Sequence, residues 1–292
     1  MSDESPATRS GFATLVGRPN VGKSTLLNAI LGRKVTIVTD KPQTTRMPVR
    51  GVLTRGDAQL VFVDTPGIHK PVSAMGQLLN EAATETIADV DVVCLVLDAR
   101  DGIGRGDRYV ADRVPRDAVV VVNKIDGLRP ARVVEQLAAA AALGEDRDVQ
   151  WEFFPVSART GQGLDALVDH LLGRLEEGPW FYPPDTVGDT PEAVWVAELV
   201  REQLMASLRD ELPYSVATRV TEWEGDPPRV RCEIHVERES QKGIVIGKGG
   251  ERLKQVGTAV RRQMPPGSHL ELFVRVDRDW QRRPESLKRL GY

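Results

Sequence analysis

Residues 17–24, Gly-Arg-Pro-Asn-Val-Gly-Lys-Ser, constrain this chain more than any other feature. They match the pattern G-x-x-x-x-G-K-[ST] and lie between an apolar stretch of strand length, residues 12–16, and a helical stretch, residues 23–31. In that setting the glycines let main-chain N–H groups turn towards phosphate oxygens at the positive end of the helix. The motif predicts a phosphate-binding loop in which Lys23 bridges the β- and γ-phosphates and Ser24 ligates Mg²⁺. The alternative is a glycine turn that only leads into a helix.

Residues 12–175 alternate between strand and helix patterns. Short β-branched runs at 60–63, 92–97, 119–122 and 153–156 follow the first strand, and helical stretches fall at 75–87, 132–143 and 164–175. Such alternation is typical of a parallel sheet with helices on both faces. Residues 49–54 are the exception, because the turn at 55–57 is too short for a crossover and predicts an antiparallel hairpin with 60–63. We therefore predict an α/β domain with a mostly parallel six-stranded sheet.

A second motif, Asp64-Thr65-Pro66-Gly67, follows the apolar run 60–63. A carboxylate at the end of that strand suits Mg²⁺ binding through a water molecule, and the Gly67 N–H can reach the γ-phosphate. Taken alone, such a tetrapeptide is also an ordinary turn.

A third motif, Asn123-Lys124-Ile125-Asp126, follows the run 119–122. The Asp126 carboxylate can accept hydrogen bonds from guanine N1–H and N2–H, whereas adenine has no such donor pair and would leave the carboxylate unpaired. Ser157 and Ala158 follow the run 153–156 and can place a main-chain N–H near guanine O6. Together with the first two motifs, this pattern indicates a guanine nucleotide rather than ATP.

The loop at residues 41–46, Lys-Pro-Gln-Thr-Thr-Arg, lies between the first helix and the hairpin. A loop that responds to the γ-phosphate needs a hydroxyl that completes the coordination of Mg²⁺. Thr44 and Thr45 are the candidates, and we favour Thr45. The alternative is a solvated polar loop with no such role.

The proline- and glycine-rich residues 177–190 predict a linker. They divide the chain into a flexible N-terminus (1–10), a first domain (11–176) and a C-terminal domain (191–292). The C-terminal domain has the pattern helix, strand, strand, helix, helix, strand. Between its two adjacent helices lies Gly247-Lys248-Gly249-Gly250, a G-x-x-G turn of the kind that lets a protein backbone approach RNA phosphates.

Charge divides unevenly along the chain. The net charge is −3, yet residues 229–292 alone carry 15 basic and 8 acidic side chains. A basic C-terminal part indicates a polyanionic partner. The alternative is a small α+β domain with a glycine-rich turn and a solvated basic face. The candidate RNA-binding residues are Lys242, Ile246, Gly247, Lys248, Gly249, Gly250, Arg252, Lys254 and Arg261.

Composition excludes several other classes of protein. No apolar run approaches the roughly 18 residues that a membrane span requires, and the first ten residues have no apolar core. Cys94 and Cys232 are far apart, and no His or Cys spacing resembles a metal site. We therefore expect a cytoplasmic protein without transmembrane segments.

The chain resembles the Era family of bacterial GTPases, which carry a C-terminal KH domain. The resemblance rests on GRPNVGKSTLLNAILG, KPQTTR, DTPGIHKP, NKID, SAR, ELPYSV, VERESQKGIVIGKGG and LKRLGY. It implies a Ras-like GTPase domain joined to a type II KH domain that binds the 3′ end of 16S ribosomal RNA. It further implies a role in maturing the small (30S) ribosomal subunit and peripheral contact with the membrane. We expect a monomer. The alternative function is a nucleotide-stabilised RNA chaperone in which hydrolysis is incidental.

The resemblance and the motifs together define the expected contacts with GTP or GDP. These are Gly17, Arg18, Pro19, Asn20, Val21, Gly22, Lys23, Ser24, Thr25, Asp64, Thr65, Pro66, Gly67, Ile68, Asn123, Lys124, Ile125, Asp126, Ser157 and Ala158. The expected Mg²⁺ ligands are Ser24, Thr45 and, through water, Asp64. Expected catalytic residues are Asn20, Lys23, Thr45 and Gly67.

Ile68 stands where Ras-like enzymes carry a glutamine that positions water, and isoleucine cannot hydrogen-bond a water molecule. Relatives with an apolar residue here often use a potassium ion held by the asparagine that corresponds to Asn20. We therefore expect slow intrinsic GTP hydrolysis, with K⁺ as a second cation beside Mg²⁺.

Overall fold

The computed structural model describes residues 8–42, 44–69, 74–208 and 212–292. The chain divides into two compact units. The first contains the residues up to Thr36 together with Thr45–Asp189, and the second contains Ile37–Thr44 together with Thr190–Tyr292. The short segment 37–44 therefore belongs to the C-terminal unit, although it lies in the middle of the N-terminal sequence.

The first unit is an α/β fold with helices on both faces of one sheet. The strands are β1 (Arg9–Val16), β2 (Val49–Arg55), β3 (Ala58–Asp64), β4 (Val92–Asp98), β5 (Val119–Asn123), β6 (Glu152–Pro155) and β7 (Glu176–Glu177). The first six have the order β2-β3-β1-β4-β5-β6; β2 and β3 form the expected antiparallel hairpin, and the remaining neighbours in this order are parallel. The helices are α1 (Lys23–Leu31), α2 (Ala74–Asp89), α3 (Arg105–Ala111), α4 (Pro130–Ala141) and α5 (Leu164–Gly173).

Strands β3, β4 and β5 are buried along their whole length. Side chains on one face of the sheet form a core with α1 and α5, and those on the other face form a core with α2, α3 and α4. Burial on both faces explains why these strands read as continuous apolar runs rather than as alternating patterns. The prediction of a mostly parallel sheet covered on both faces is confirmed.

Within the part of the chain that the structure describes, the sheet has seven strands rather than the six that we predict. The two-residue strand β7 pairs antiparallel with β1, at Arg9 and Ser10. The same pairing corrects the N-terminal boundary, because Arg9 and Ser10 begin β1 although the sequence assigns them to a flexible N-terminus. Residues 1–7 of that predicted segment lie outside the described residues.

The predicted linker, residues 177–190, packs against the first unit as far as Asp189. The main-chain N–H groups of Phe181 and Tyr182 donate to the side-chain oxygen of buried Gln59, at 2.8 and 2.9 Å. The Phe181 ring lies 4.6 Å from that of Phe12, centroid to centroid. A composition rich in proline and glycine correctly predicts the bends at residues 181–182 and the turn at 184–185, but it does not reveal these contacts with distant residues.

The elements of the second unit are α6 (Glu192–Ser207), β8 (Ala217–Glu224), β9 (Arg229–Val236), α7 (Glu239–Ile246), α8 (Glu251–Arg261), β10 (His269–Val276) and α9 (Pro284–Leu290). Its strands form a sheet of order β10-β9-β8, in which β9 is antiparallel to β8 and parallel to β10. Apolar side chains of α6 and α8 pack with the inner face of the sheet. Among the described residues the predicted order of elements is confirmed. The sequence interpretation misses the short 3-10 helices Leu212–Ser215 and Trp280–Arg282 and the closing helix α9. Among the described residues, no helix combines the length and apolar character needed to cross a membrane.

Candidate functional site

The motif loops of the first unit meet at one edge of the sheet. Strands β1, β3, β5 and β6 are aligned in parallel, so their carboxyl ends share that edge. Three hydrogen bonds join the loops: the Asn123 amide donates to the Val21 carbonyl (3.0 Å), Lys124 Nζ donates to the Asn20 carbonyl (2.6 Å), and the Ile68 N–H donates to the Gly17 carbonyl (3.2 Å). The crevice at the carboxyl ends of parallel strands is the usual ligand-binding place in α/β proteins.

The glycine-rich loop leads directly into α1, which begins at Lys23. Gly22 has φ 99°, a left-handed conformation, and a Cβ atom there would lie 2.5 Å from the Asn123 amide nitrogen. Only glycine satisfies both conditions without strain. The loop therefore presents main-chain N–H groups at the N-terminus of a nine-residue helix, which favours phosphate binding.

The Lys23 side chain is buried in this loop. Its Nζ donates to the carbonyl oxygens of Gly17 and Arg18, each at 3.2 Å. Burial lowers the pKa of Lys23 to about 8, although the Asp64 carboxylate opposes the shift. The ammonium therefore stays largely protonated at pH 7, and it can exchange carbonyl partners for phosphate oxygens.

Asp64, at the end of β3, is fully buried and collects three hydroxyl groups. Ser24 Oγ lies 3.0 Å from Asp64 Oδ2, and the hydroxyls of Thr36 and Thr45 each lie 3.2 Å from the same oxygen. Burial raises the pKa of Asp64, and the nearby Lys23 charge and the three hydroxyls offset this only in part. The other carboxylate oxygen, Oδ1, is buried without a hydrogen-bond partner among the described residues.

This cluster fits a magnesium ion. An orphaned, buried carboxylate oxygen is costly to leave unpaired, and hydroxyl and carboxylate oxygens are the ligands that Mg²⁺ prefers in nucleotide sites. Thr45 belongs to the cluster, whereas the Thr44 hydroxyl bonds instead to Thr39 Oγ1 (2.7 Å) and the Lys41 carbonyl (2.8 Å). Sequence reasoning misses Thr36, because no motif surrounds it.

Asp126 is almost completely buried and has a defined set of partners. Ser157 Oγ donates to Asp126 Oδ1 at 2.8 Å, while Arg100 and Arg159 lie 2.9 and 2.6 Å from Oδ2. The Ser157 hydrogen bond, with the charges of the two arginines, holds the pKa of Asp126 below its usual range. Asp126 is therefore an ionised acceptor at neutral pH. The sequence interpretation misses Arg100 and Arg159, although Arg159 directly follows the Ser157-Ala158 pair.

The structure refines the expected contact with guanine O6. The Ser157 N–H donates to the Gln162 carbonyl at 2.9 Å, and the Ala158 N–H donates to Asn123 Oδ1 at 3.0 Å. If guanine O6 accepts from the Ala158 N–H, it must therefore share that donor with Asn123 Oδ1 or replace Asn123 Oδ1 as the acceptor.

Several predicted contact residues direct their side chains away from the cleft. Ile68 and Ile125 are buried with the apolar core of one sheet face, and the buried Thr65 hydroxyl donates to the Leu15 carbonyl. Arg18 Nε donates to the buried carboxylate of Asp107 in α3, at 2.7 Å. These residues can serve a nucleotide only through their main chain.

In the second unit, α7 ends at a glycine turn that leads into α8. Gly247, Gly249 and Gly250 all have positive φ, between 60° and 81°. Lys248 and Lys254 are exposed, as is Arg261, whereas the Arg252 guanidinium donates to the Ile244 carbonyl and thereby closes the turn. The turn, two lysines and Arg261 form a basic, accessible surface that we call the glycine-turn surface.

Taken together, the fold and the two sites define a P-loop GTPase joined to a KH domain.

Comparison of the sequence with known proteins agrees with this assignment to a class. The GTPase Era of a Nocardioides species is 45% identical over 308 residues, covering 100% of this chain and 98% of the relative. The GTPase Era of a Mycobacterium species is 46% identical over 299 residues, covering 97% and 99%. The chain therefore belongs to the GTPase Era family. The 50S ribosome-binding GTPase family matches residues 12–124, and the KH domain family matches residues 211–281.

Solved structures show the same similarity. Era in complex with MgGDPNP and nucleotides 1506–1542 of 16S ribosomal RNA has a TM-score of 0.90 and 38% identity, covering 98% of this chain and 99% of that chain. An Aquifex aeolicus Era variant bound to GDP and AlF4⁻ has a TM-score of 0.89 and 38% identity, with the same coverage.

Proposed function

We propose that this chain is a GTP-hydrolysing switch that binds the 3′ end of small-subunit ribosomal RNA and assists maturation of the small ribosomal subunit. The observation that carries the proposal is the cluster at Asp64, where three hydroxyls from separate parts of the chain surround one buried carboxylate. A site of this kind is organised for a nucleotide with its metal ion. Asp126 follows β5, whose carboxyl end lies at the same sheet edge, and there it can select guanine.

Each side chain of the cleft has a distinct task in this proposal. Asp126 accepts the guanine N–H groups, and Lys23 contacts the terminal phosphates. Ser24, Thr45 and Asp64 are the residues that would hold Mg²⁺, with Asp64 acting through water, and the Gly67 N–H would contact the γ-phosphate. When bound, Mg²⁺ neutralises charge on the phosphate oxygens, which lowers the barrier for attack by water.

The RNA-binding part of the proposal rests on the glycine-turn surface. Its exposed lysines and Arg261 can neutralise phosphates, and its glycines allow close approach of the backbone. The similar Era that is bound to a 16S RNA fragment supports ribosomal RNA as the ligand class. We further propose a monomeric, cytoplasmic protein; peripheral membrane contact stays a prediction from the resemblance.

A nucleotide-stabilised RNA chaperone is the alternative function. It would use the same two sites, but its RNA affinity would be the same with GTP or GDP bound. The convergence of Thr36 and Thr45 on the metal site favours the switch, because hydroxyls from loop segments can sense the γ-phosphate.

We also propose that K⁺ assists hydrolysis at Asn20. The Asn20 side chain is exposed on the phosphate loop, where its residue adopts φ 66°. Amide and carbonyl oxygens are suitable ligands for K⁺, so the donor chemistry fits. A monovalent cation here would supply positive charge near the phosphates, and the buried Ile68 supplies no polar group for that purpose.

Turnover measurements test the enzymatic proposal. With Mg²⁺ present, the chain should hydrolyse GTP and leave ATP unchanged. GTP hydrolysis should be at least about tenfold faster in potassium buffer than in sodium buffer. Asn20→Ala should remove the potassium stimulation while GDP affinity persists. Equal GTP turnover in the two buffers would refute the role of Asn20, and comparable hydrolysis of ATP would refute the guanine assignment.

A further inference from the structure

The side chain of Arg18, in the phosphate loop, is anchored to α3. Its Nε donates to Asp107 Oδ1 at 2.7 Å, and its guanidinium also reaches the Gly102 carbonyl at 3.4 Å. The second oxygen of the same carboxylate, Asp107 Oδ2, accepts from the Gly104 N–H at 2.8 Å. Arg18 and Asp107 therefore join the phosphate loop to the first turn of α3 and to the loop that precedes this helix.

The surface of α3 is shaped to admit the Arg18 side chain. A Cβ atom at Gly106 would lie 2.5 Å from Arg18 Cδ, so a larger residue there would displace the arginine. At the next position, the Asp107 side chain is fully buried, whereas 31% of the Arg18 side chain is exposed. Glycine supplies the space and aspartate supplies the charge at adjacent positions of one helix, and both act on a single side chain of the phosphate loop.

A buried carboxylate contributes little to stability even when it is paired. Replacing a buried ion pair with uncharged residues is often neutral, because the desolvation of the two charges offsets their attraction. Removing only the cation is costly, because the carboxylate is then buried without compensation. What the short hydrogen bond between Arg18 and Asp107 supplies is direction, since it fixes where the Arg18 residue lies.

The main chain next to this anchor carries contacts of the phosphate loop. The Gly17 and Arg18 carbonyls hold Lys23 Nζ, each at 3.2 Å. A Cβ atom at Gly67 would lie 2.9 Å from the main-chain nitrogen of Pro19, so the two loops are in close contact there. A shift of the main chain at residue 18 would therefore disturb the lysine that faces the phosphates and the loop that carries Gly67.

We propose that Asp107 and Gly106 are positioning residues for nucleotide binding, which hold Arg18 so that the phosphate loop keeps the shape that phosphates require. Both lie outside the nucleotide-binding motifs and act through Arg18. This role rests on the proposed function and deepens it, because it extends the phosphate site to a helix that carries none of those motifs. Since GDP and GTP share the phosphates that the loop holds, both nucleotides should depend on it.

Variants of the full-length chain separate positioning from stability. Arg18→Met keeps an apolar stem and leaves the Asp107 carboxylate buried without its cation. Asp107→Asn keeps an oxygen for the Gly104 N–H, and the double variant Arg18→Met with Asp107→Asn removes both charges. Arg105→Met alters an exposed position of the same helix and serves as the matched control. The affinities for GDP and GDPNP are measured for each, together with the urea midpoint without nucleotide.

For Arg18→Met we expect the affinity for both nucleotides to fall about tenfold, and the urea midpoint to fall as well. Adding Asp107→Asn should raise the urea midpoint again, because no buried charge is left unpaired. The nucleotide affinity of the double variant should nevertheless stay about tenfold low, because Arg18 is still missing. Arg105→Met should match the unmodified chain in both measurements.

Gly106→Ala tests the same contact from the side of the helix. Alanine favours a helix more than glycine does, so this substitution does not weaken α3, but the added Cβ atom displaces the Arg18 side chain. We expect the affinity for GDP to fall about fivefold to tenfold.

If the double variant recovered nucleotide affinity together with its urea midpoint, the inference would be overturned, because the pair would then contribute to stability alone. Unchanged GDP affinity in Arg18→Met or in Gly106→Ala would overturn it as well. Failure of the proposed function has a different signature, since the unmodified chain would then bind neither GDP nor GDPNP.

Discussion

Replacing Asp126 with asparagine is expected to lower the affinity for GTP and GDP about a hundredfold or more. The substitution weakens or removes two charge-assisted hydrogen bonds, which Asp126 accepts from guanine N1–H and N2–H, and each contributes about 1.5–3 kcal/mol. Asparagine keeps one acceptor but presents an N–H group to the guanine amino group, so one attraction becomes a clash of two donors. Because of this clash, Asp126→Asn should lose more nucleotide affinity than a truncation to alanine would.

The same substitution should create a preference for xanthosine nucleotides. Xanthine carries a carbonyl oxygen where guanine carries the amino group, and the asparagine amide can donate to that oxygen while accepting from N1–H. Ser157 can still donate to the side-chain oxygen at position 126, as it does to Asp126 Oδ1. The hydrogen bond from Ser157 should therefore survive the change, whereas the ion pairs of Arg100 and Arg159 with Oδ2 are lost.

Calorimetry with GDP, XDP and ADP measures the effect. Asp165→Asn serves as the control, because it removes a carboxylate from an exposed position on α5 in the same unit. If Asp126→Asn bound GDP as tightly as the unmodified chain, the base would have to be recognised elsewhere.

The combined change Lys248→Ala and Lys254→Glu is expected to weaken RNA binding about tenfold to a hundredfold. Both lysines are exposed on the glycine-turn surface, so their removal changes electrostatics rather than packing. The salt dependence should change as well, because each lost phosphate contact reduces the slope of log K against log salt by about 0.7 for a single strand. Affinity for GDP should not change, because both positions lie in the second unit.

A matched control is available in the same unit. Arg219→Ala with Arg229→Glu alters net charge by the same amount, and both arginines are exposed on strands β8 and β9. The inner faces of these strands pack against the helices, and the two arginines lie on the other face. If the control weakened RNA binding as much as the lysine variant, net charge rather than the glycine-turn surface would explain the affinity.

Much of the nucleotide site could be predicted because of one geometric rule. Polar motifs that follow parallel strands lie at the same sheet edge, so Lys23, Asp64 and Asp126 could be assigned to one cleft before any contact was known. Buried strands of almost pure valine and leucine, such as β5, made the sheet itself equally recognisable. The hydroxyl cluster at Asp64 supports the choice of Thr45 over Thr44 as the candidate Mg²⁺ ligand.

The features that sequence reasoning missed depend on contacts between distant positions. Thr36 lies 28 residues from Asp64, and Arg100 lies 26 residues from Asp126. No local pattern identifies such partners, because a threonine in a loop or an arginine in a turn has many ordinary roles. The packing of residues 177–189 on the first unit has the same origin, since Gln59 lies over 120 residues away.

RNA affinity in two nucleotide states tests the central claim most directly. A labelled RNA with the sequence of nucleotides 1506–1542 of 16S ribosomal RNA is titrated with the chain, first with Mg²⁺ and GDPNP and then with GDP. We predict binding that is at least about fivefold tighter in the GDPNP state, weaker at high salt, and absent for a scrambled RNA. Identical affinities in the two nucleotide states would contradict a switch, and equal binding of the scrambled RNA would contradict recognition of the ribosomal 3′ end.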